Sequence, residues 1–94
     1  MAQGRKWSNH LTSAMNLQDE AIPGQPLIEI FGDCRVLVEN HMGVTEYGDS
    51  VIRVKVKYGN VCVCGGNLEL ALMTKGQLII TGCIESVKLN RREG

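Results

Sequence analysis

VIRVKVKY, Val51 to Tyr58, decides how the rest of this chain is read. Ile52, Val54, Val56 and Tyr58 fall on one side of an extended backbone and Val51, Arg53, Lys55 and Lys57 on the other. A period of two is that of a strand with one face against a core. Working outward, Ile28 with Ile30, Cys34 with Val36 and Val38, Val61 with Val63, Leu68 with Leu70 and Leu72, Leu78 with Ile80, and the closing run CIESVKL repeat the alternation. Turn residues separate these runs at Gly32-Asp33, Gly48-Asp49, Gly59-Asn60, Gly65-Gly66 and Lys75-Gly76. Residues 25–90 are therefore predicted to form about eight short antiparallel strands.

GNVCVCG, Gly59 to Gly65, and GQLIITG, Gly76 to Gly82, echo one another, and each is followed by a further alternating run. This reads as a repeated hairpin in a meander, with a short β-solenoid as the lesser alternative because two copies fall short of the three or so a solenoid needs. With no second helical layer, the strands bury one face each only by packing sheet on sheet or by curling. The expected fold is all-β, a small antiparallel meander sandwich or barrel.

Residues 1–24 differ in character. Trp7, Leu11 and Met15 recur at i, i+4 and i+8 with Ala14 beside them, while Arg5, Lys6, Asn9, Gln18 and Asp19 lie off that stripe. The pattern predicts one short amphipathic helix ending before Pro23 and Gly24, and AIPGQP as a linker, since each proline disfavours helix in the residue before it. Residues 91–94 form a polar tail.

The chain has 94 residues, one domain at most, whose small core leaves a thin stability margin and favours association. Ten basic and ten acidic side chains cancel, so no global field draws in nucleic acid or an anionic membrane. No run approaches the ~18 apolar residues of a membrane span, and the N-terminus lacks a signal-peptide core. The expectation is a cytosolic protein whose four cysteines are reduced.

Within VENHMGV, Glu39, Asn40 and His41 stand side by side, a carboxylate, an amide and an imidazole of the kind hydrolases use. Catalysis would need a hydroxyl or thiol beside the imidazole and donors for an oxyanion. Turn chemistry explains the same residues more simply: Asn40 tolerates the left-handed region and Gly43 supplies positive φ between two strands. The expected role is a corner. An enzymatic or metal-dependent use of His41 with Glu39 or a cysteine is the competing reading.

Cys62 and Cys64 have metal-like company in Cys34, Cys83 and His41, but zinc knuckles place two or more residues between their thiols. A C-x-C pair in a strand is expected to project from one face about 6–7 Å apart. No metal or cofactor is predicted, and the thiols read as small hydrophobes. If Val61 and Val63 face the core, Cys62, Cys64 and Ile79 face away, so a second apolar side awaits the helix, another sheet or another subunit. Arg53, Lys55 and Lys57 form a basic stripe of the sort that discourages edge pairing. With Trp7, Leu11 and Met15, these residues make up the candidate interaction surface. No glycine-rich loop precedes a helix, so no nucleotide is implied.

From Pro26 to Leu89 the order of motifs resembles the YabP/YqfC family of bacterial endospore-formation proteins. The pattern is an I-x-I-x-G strand (Ile28–Gly32), then V-E-N-H-x-G-V (Val38–Val44), a glycine-flanked strand (Gly59–Gly65) and a closing I-x-G-x-I-x-S-V (Ile80–Val87). Size and the short amphipathic N-terminus resemble the YqfC branch more than YabP. The resemblance implies a non-enzymatic sporulation protein of the mother-cell cytoplasm, working in spore envelope or cortex formation, with a peripheral place at the forespore membrane as a second expectation. It also implies a membrane-protein partner of the YqfD kind; a homo-oligomer is expected, with no nucleic acid and no small-molecule substrate. Glu39, Asn40, His41 and Gly43 carry over as a family motif, not as known catalysts, and the cysteines are not part of the pattern.

Overall fold

A computed structural model describes residues 24–92, and among them the chain forms six strands and no helix. They are β1 (Leu27–Phe31), β2 (Arg35–Glu39), β3 (Val44–Tyr47), β4 (Val51–Val56), β5 (Gly59–Met73) and β6 (Gln77–Arg91). All pairs are antiparallel, in one sheet of order β1-β2-β6-β5-β4-β3. The predicted helix through Trp7, Leu11 and Met15 lies outside the described residues.

Six strands replace the eight expected because two glycine breaks are bends rather than turns. The runs around Val63 and Leu70 fuse at Gly65-Gly66 into β5, and those around Ile80 and Val87 fuse at Gly82 into β6, each of 15 residues. The β5–β6 ladder slips register at Cys64/Gly65, between Gly66 and Glu69 and again at Leu70/Leu72. Such bulges bend a strand and raise its twist without ending it. The sheet is also not a plain meander: β2 pairs with β6, so the β1–β2 hairpin is attached to the far end of the β3-to-β6 run.

The bend turns the sheet over on itself. β4 pairs with β5 only over Gly59–Cys64, and β2 with β6 only over Gln77–Thr81, so the molecule has two half-sheets sharing the long strands. Val36, Val38, Leu78 and Ile80 from one half and Ile52, Val54, Val61 and Val63 from the other are fully buried and belong to a single core cluster. These side chains line one core on the inner face of a single bent, six-stranded sheet. Each such side chain contributes about 1.5–3 kcal/mol.

Glycine is required at the bend. A Cβ on Gly65 would run into the carbonyl of Cys83, and Gly82, at φ 139°, would place one 2.6 Å from the carbonyl oxygen of Asn67. Both hairpin turns grip this region. Gly82 and Ile84 donate to the carbonyls of Cys34 and Asp33 in the β1–β2 turn, at 3.2 and 2.7 Å. Gly65 and Leu68 donate to Ser50 and Asp49 in the β3–β4 turn, at 3.1 and 2.9 Å.

Candidate functional site: the Glu39–Gly43 junction

The family-like motif lies where β2 ends. Asn40 sits at φ 62° and Gly43 at φ 112°, so the chain turns sharply with two left-handed residues, one tolerated by asparagine and one by glycine. Extended pairing stops at Glu39, and the next four residues bond instead to three distant segments.

Glu39 accepts a hydrogen bond from Gln77 Nε2 at 2.9 Å across the β2–β6 pair. The Asn40 N–H donates to Gly76 O at 2.7 Å, and its side-chain Nδ2 donates to Gln25 O at 2.8 Å, fixing the approach to β1. Met42 N donates to Lys55 O and Lys55 N to Gly43 O, at 2.7 and 2.8 Å, so the segment rides on β4.

His41 is 9% exposed. Its Nδ1 accepts from the Gly43 N–H at 3.0 Å, which requires that nitrogen to be unprotonated. Nε2 therefore carries the hydrogen and donates to the Thr74 carbonyl at 2.8 Å. A buried imidazole with both nitrogens committed to backbone groups offers no free lone pair to a metal and no open position for proton transfer. Its chemistry is that of a clasp between the β2–β3 corner and the β5–β6 turn. Thr74, Gly76 and Gln25 carry no motif of their own, so nothing in the sequence marks them as partners of the corner.

The remaining candidates lie apart from this junction. Cys62 and Cys64 project from the outer face of the β3–β4 half-sheet, but their sulfurs are 3.8 Å apart rather than the wider spacing expected, because the side chains lean toward each other along the strand. Burial, then the hydrogen bond with Cys64, pushes the Cys62 thiol up. All four cysteines are free, and among the described residues no three His, Cys, Asp or Glu side chains converge on a position that could hold a metal ion.

Arg53 is the cross-strand partner of Cys62 and bonds Glu46 Oε1 at 3.1 Å, which raises its pKa further; it also reaches Asn60 Oδ1 at 3.4 Å. Asn60 in turn accepts from Asn90 Nδ2 at 3.0 Å, giving a polar row from β3 to β6. Lys55 and Lys57 are exposed beside it. Ile79 sits on the outer face of the other half-sheet, opposite Leu37 and Leu72.

Among the described residues no helix is long and apolar enough to cross a membrane. No solved structure matches the chain significantly. The chain is similar to the "Uncharacterized protein YqfC" of Bacillus subtilis (strain 168), 23% identical over 78 residues, which cover 83% of this chain and 84% of the relative. The model of the YabP family matches residues 24–94, a span that takes in all the described residues with the Glu39–Gly43 junction, and the chain belongs to that family.

Proposed function

We propose that the protein is a sporulation-associated interaction module that presents the outer face of its β1–β2 half-sheet to a membrane-associated partner. Family membership supports the sporulation setting. One observation supports the mode of action: Leu37, Ile79 and Leu72 stand opposite one another across β2, β6 and β5 on the face turned away from the core. Leu27 and Phe31 flank that row at 44% and 45% exposure, and Leu72 is 41% exposed. An apolar row on a sheet exterior costs solubility, and a partner that covers it recovers about 25 cal/mol for each Å² of apolar surface removed from water. The adjoining edge strand LIEIF, from Leu27 to Phe31, lacks the lysine, proline or bulge that blunts such edges, so strand addition is available beside the apolar row.

The reading is non-enzymatic, since the motif histidine serves as a clasp. It is tested by purifying the tagged protein from membranes of sporulating cells, in parallel with Ile79→Glu. Recovery of one membrane protein in stoichiometric amount by the wild type, lost in the variant, is expected. Equal recovery by both, or none by either, would falsify it.

A further inference from the structure

The two half-sheets do not meet along their whole length. Between the start of β1 and the end of β6 lies a groove of about 590 Å³, lined by Gln25, Pro26, Ile28, Tyr58, Leu89 and Arg91. Its floor is the continuation of the core. Ile28 pairs with the buried Val38 and Leu89 with the buried Val61, which places both on inward faces. Leu89 is nonetheless 58% exposed, and among the described residues β2 flanks β6 only as far as Thr81, which leaves that edge of the strand unpaired at Leu89. An inward-facing leucine left that open marks a core lacking one covering element.

We propose that this element is the chain's own residues 5–19, the stripe of Trp7, Leu11 and Met15, seated in the groove. Three features favour it over other occupants. First, Gln25 and Pro26 line the groove, so the preceding chain leaves from its rim, where Asn40 Nδ2 holds Gln25 O. The stretch from Met15 to Gly24 spans up to about 30 Å when extended, ample to fold back. A tether this short gives an effective concentration on the order of millimolar, so the segment outcompetes a free partner of similar affinity. Second, Arg91, stacked 5.6 Å from the Tyr58 ring, puts a cation at the same site, and Asp19 and Glu20 follow the apolar stripe. Third, a second copy adding its own β1 symmetrically about the strand centre would set Glu29 against Glu29, and like charges directly opposite destabilise a pair. The inference does not rest on the proposed partner-binding face, which is the opposite side of the β1–β2 half-sheet.

Trp7 is the chain's single tryptophan and reports directly. In the full chain its fluorescence is expected to be blue-shifted and shielded severalfold from acrylamide, independently of protein concentration. Leu89→Asp, at an exposed position that tolerates the change, is expected to restore water-like emission, while Ser86→Asp on the other face leaves it unchanged. As a check that does not disturb the sheet, Trp7→Ala is expected to shift amide resonances at Ile28, Tyr58, Leu89 and Arg91. Water-like emission in the wild type overturns the assignment. So does shielding that grows with protein concentration, which would name a second copy, or that requires anionic vesicles, which would name a membrane. Amide shifts at Leu37 and Ile79 instead would also sink it.

Discussion

The Nε2–H of His41 donates to the carbonyl of Thr74 at 2.8 Å, joining positions 33 residues apart. Through this bond and the Gly43 N–H to Nδ1, a family motif that looks catalytic in one dimension becomes a fastening between the β2–β3 corner and the β5–β6 hairpin turn.

If the imidazole is a clasp, His41→Ala leaves a backbone carbonyl and a backbone N–H without partners in a nearly buried site. Each such group costs about 1–3 kcal/mol, so the variant is expected to lose about 2–6 kcal/mol of stability. Urea unfolding measures this as a lowered midpoint at unchanged slope. A midpoint within error of the wild type would mean that water replaces the ring at no cost and that the clasp is not structural.

Gly65, Gly66 and Gly82 make a graded test of the bend. A methyl at Gly65 meets the Cys83 carbonyl, and one at Gly82 is both crowded by Asn67 and strained at φ 139°, whereas nothing lies within 4 Å of the position at Gly66. Gly65→Ala and Gly82→Ala are expected to cost about 3 kcal/mol or more, through crowding and backbone strain. Gly66→Ala should stay within about 0.5 kcal/mol of wild type, the usual range for a change that touches nothing. Equal losses at all three glycines in thermal or urea unfolding would rule out the fold-over described here.

Adjacent isoleucines separate the two faces of β6. Ile80 is fully buried in the core and Ile79 half-buried on the exterior. Ile80→Ala is therefore expected to cost about 2–5 kcal/mol and Ile79→Ala about 1 kcal/mol or less. The reverse order would show that the strand's register is off by one residue.

Thiol labelling distinguishes the cysteines. Cys34 and Cys83 are exposed, whereas burial and the neighbouring Cys64 hold Cys62 protonated above its ordinary range. At pH 7.5, a value chosen about one unit below the ordinary thiol pKa, iodoacetamide should modify Cys34 and Cys83 first and Cys62 last. The folded state binds the Cys62 proton more tightly than the unfolded chain does. This contribution to stability is whole below the unfolded thiol pKa and is lost as pH rises through the folded value. Modification of Cys62 as fast as Cys83, read by mass spectrometry of the peptides, would contradict the burial assigned to it.

Composition and periodicity were enough to establish that the described region is all β and, for β4, which side faces inward: Ile52, Val54 and Val56 are buried and Lys55 and Lys57 exposed, as a two-residue repeat demands, whereas in β5 the register shift after Leu70 turns Leu72 to the outer face that its spacing from Leu68 did not predict. Residue type alone also makes Asn40 and Gly43 natural left-handed positions, because that preference is local to one backbone unit. What the sequence left undecided is whether a glycine stops a strand or bends it. Gly65 and Gly82 are bends because Cys83 and Asn67 on the paired strand crowd their α-carbons, and that neighbour is chosen only when β5 lies against β6. The union of β2 with β6, the meeting of His41 with Thr74 and the groove left open beside Leu89 are of the same kind. Each joins residues far apart in the chain, and a strand's edge is satisfied by many backbones; the choice among them belongs to the packing of the whole core.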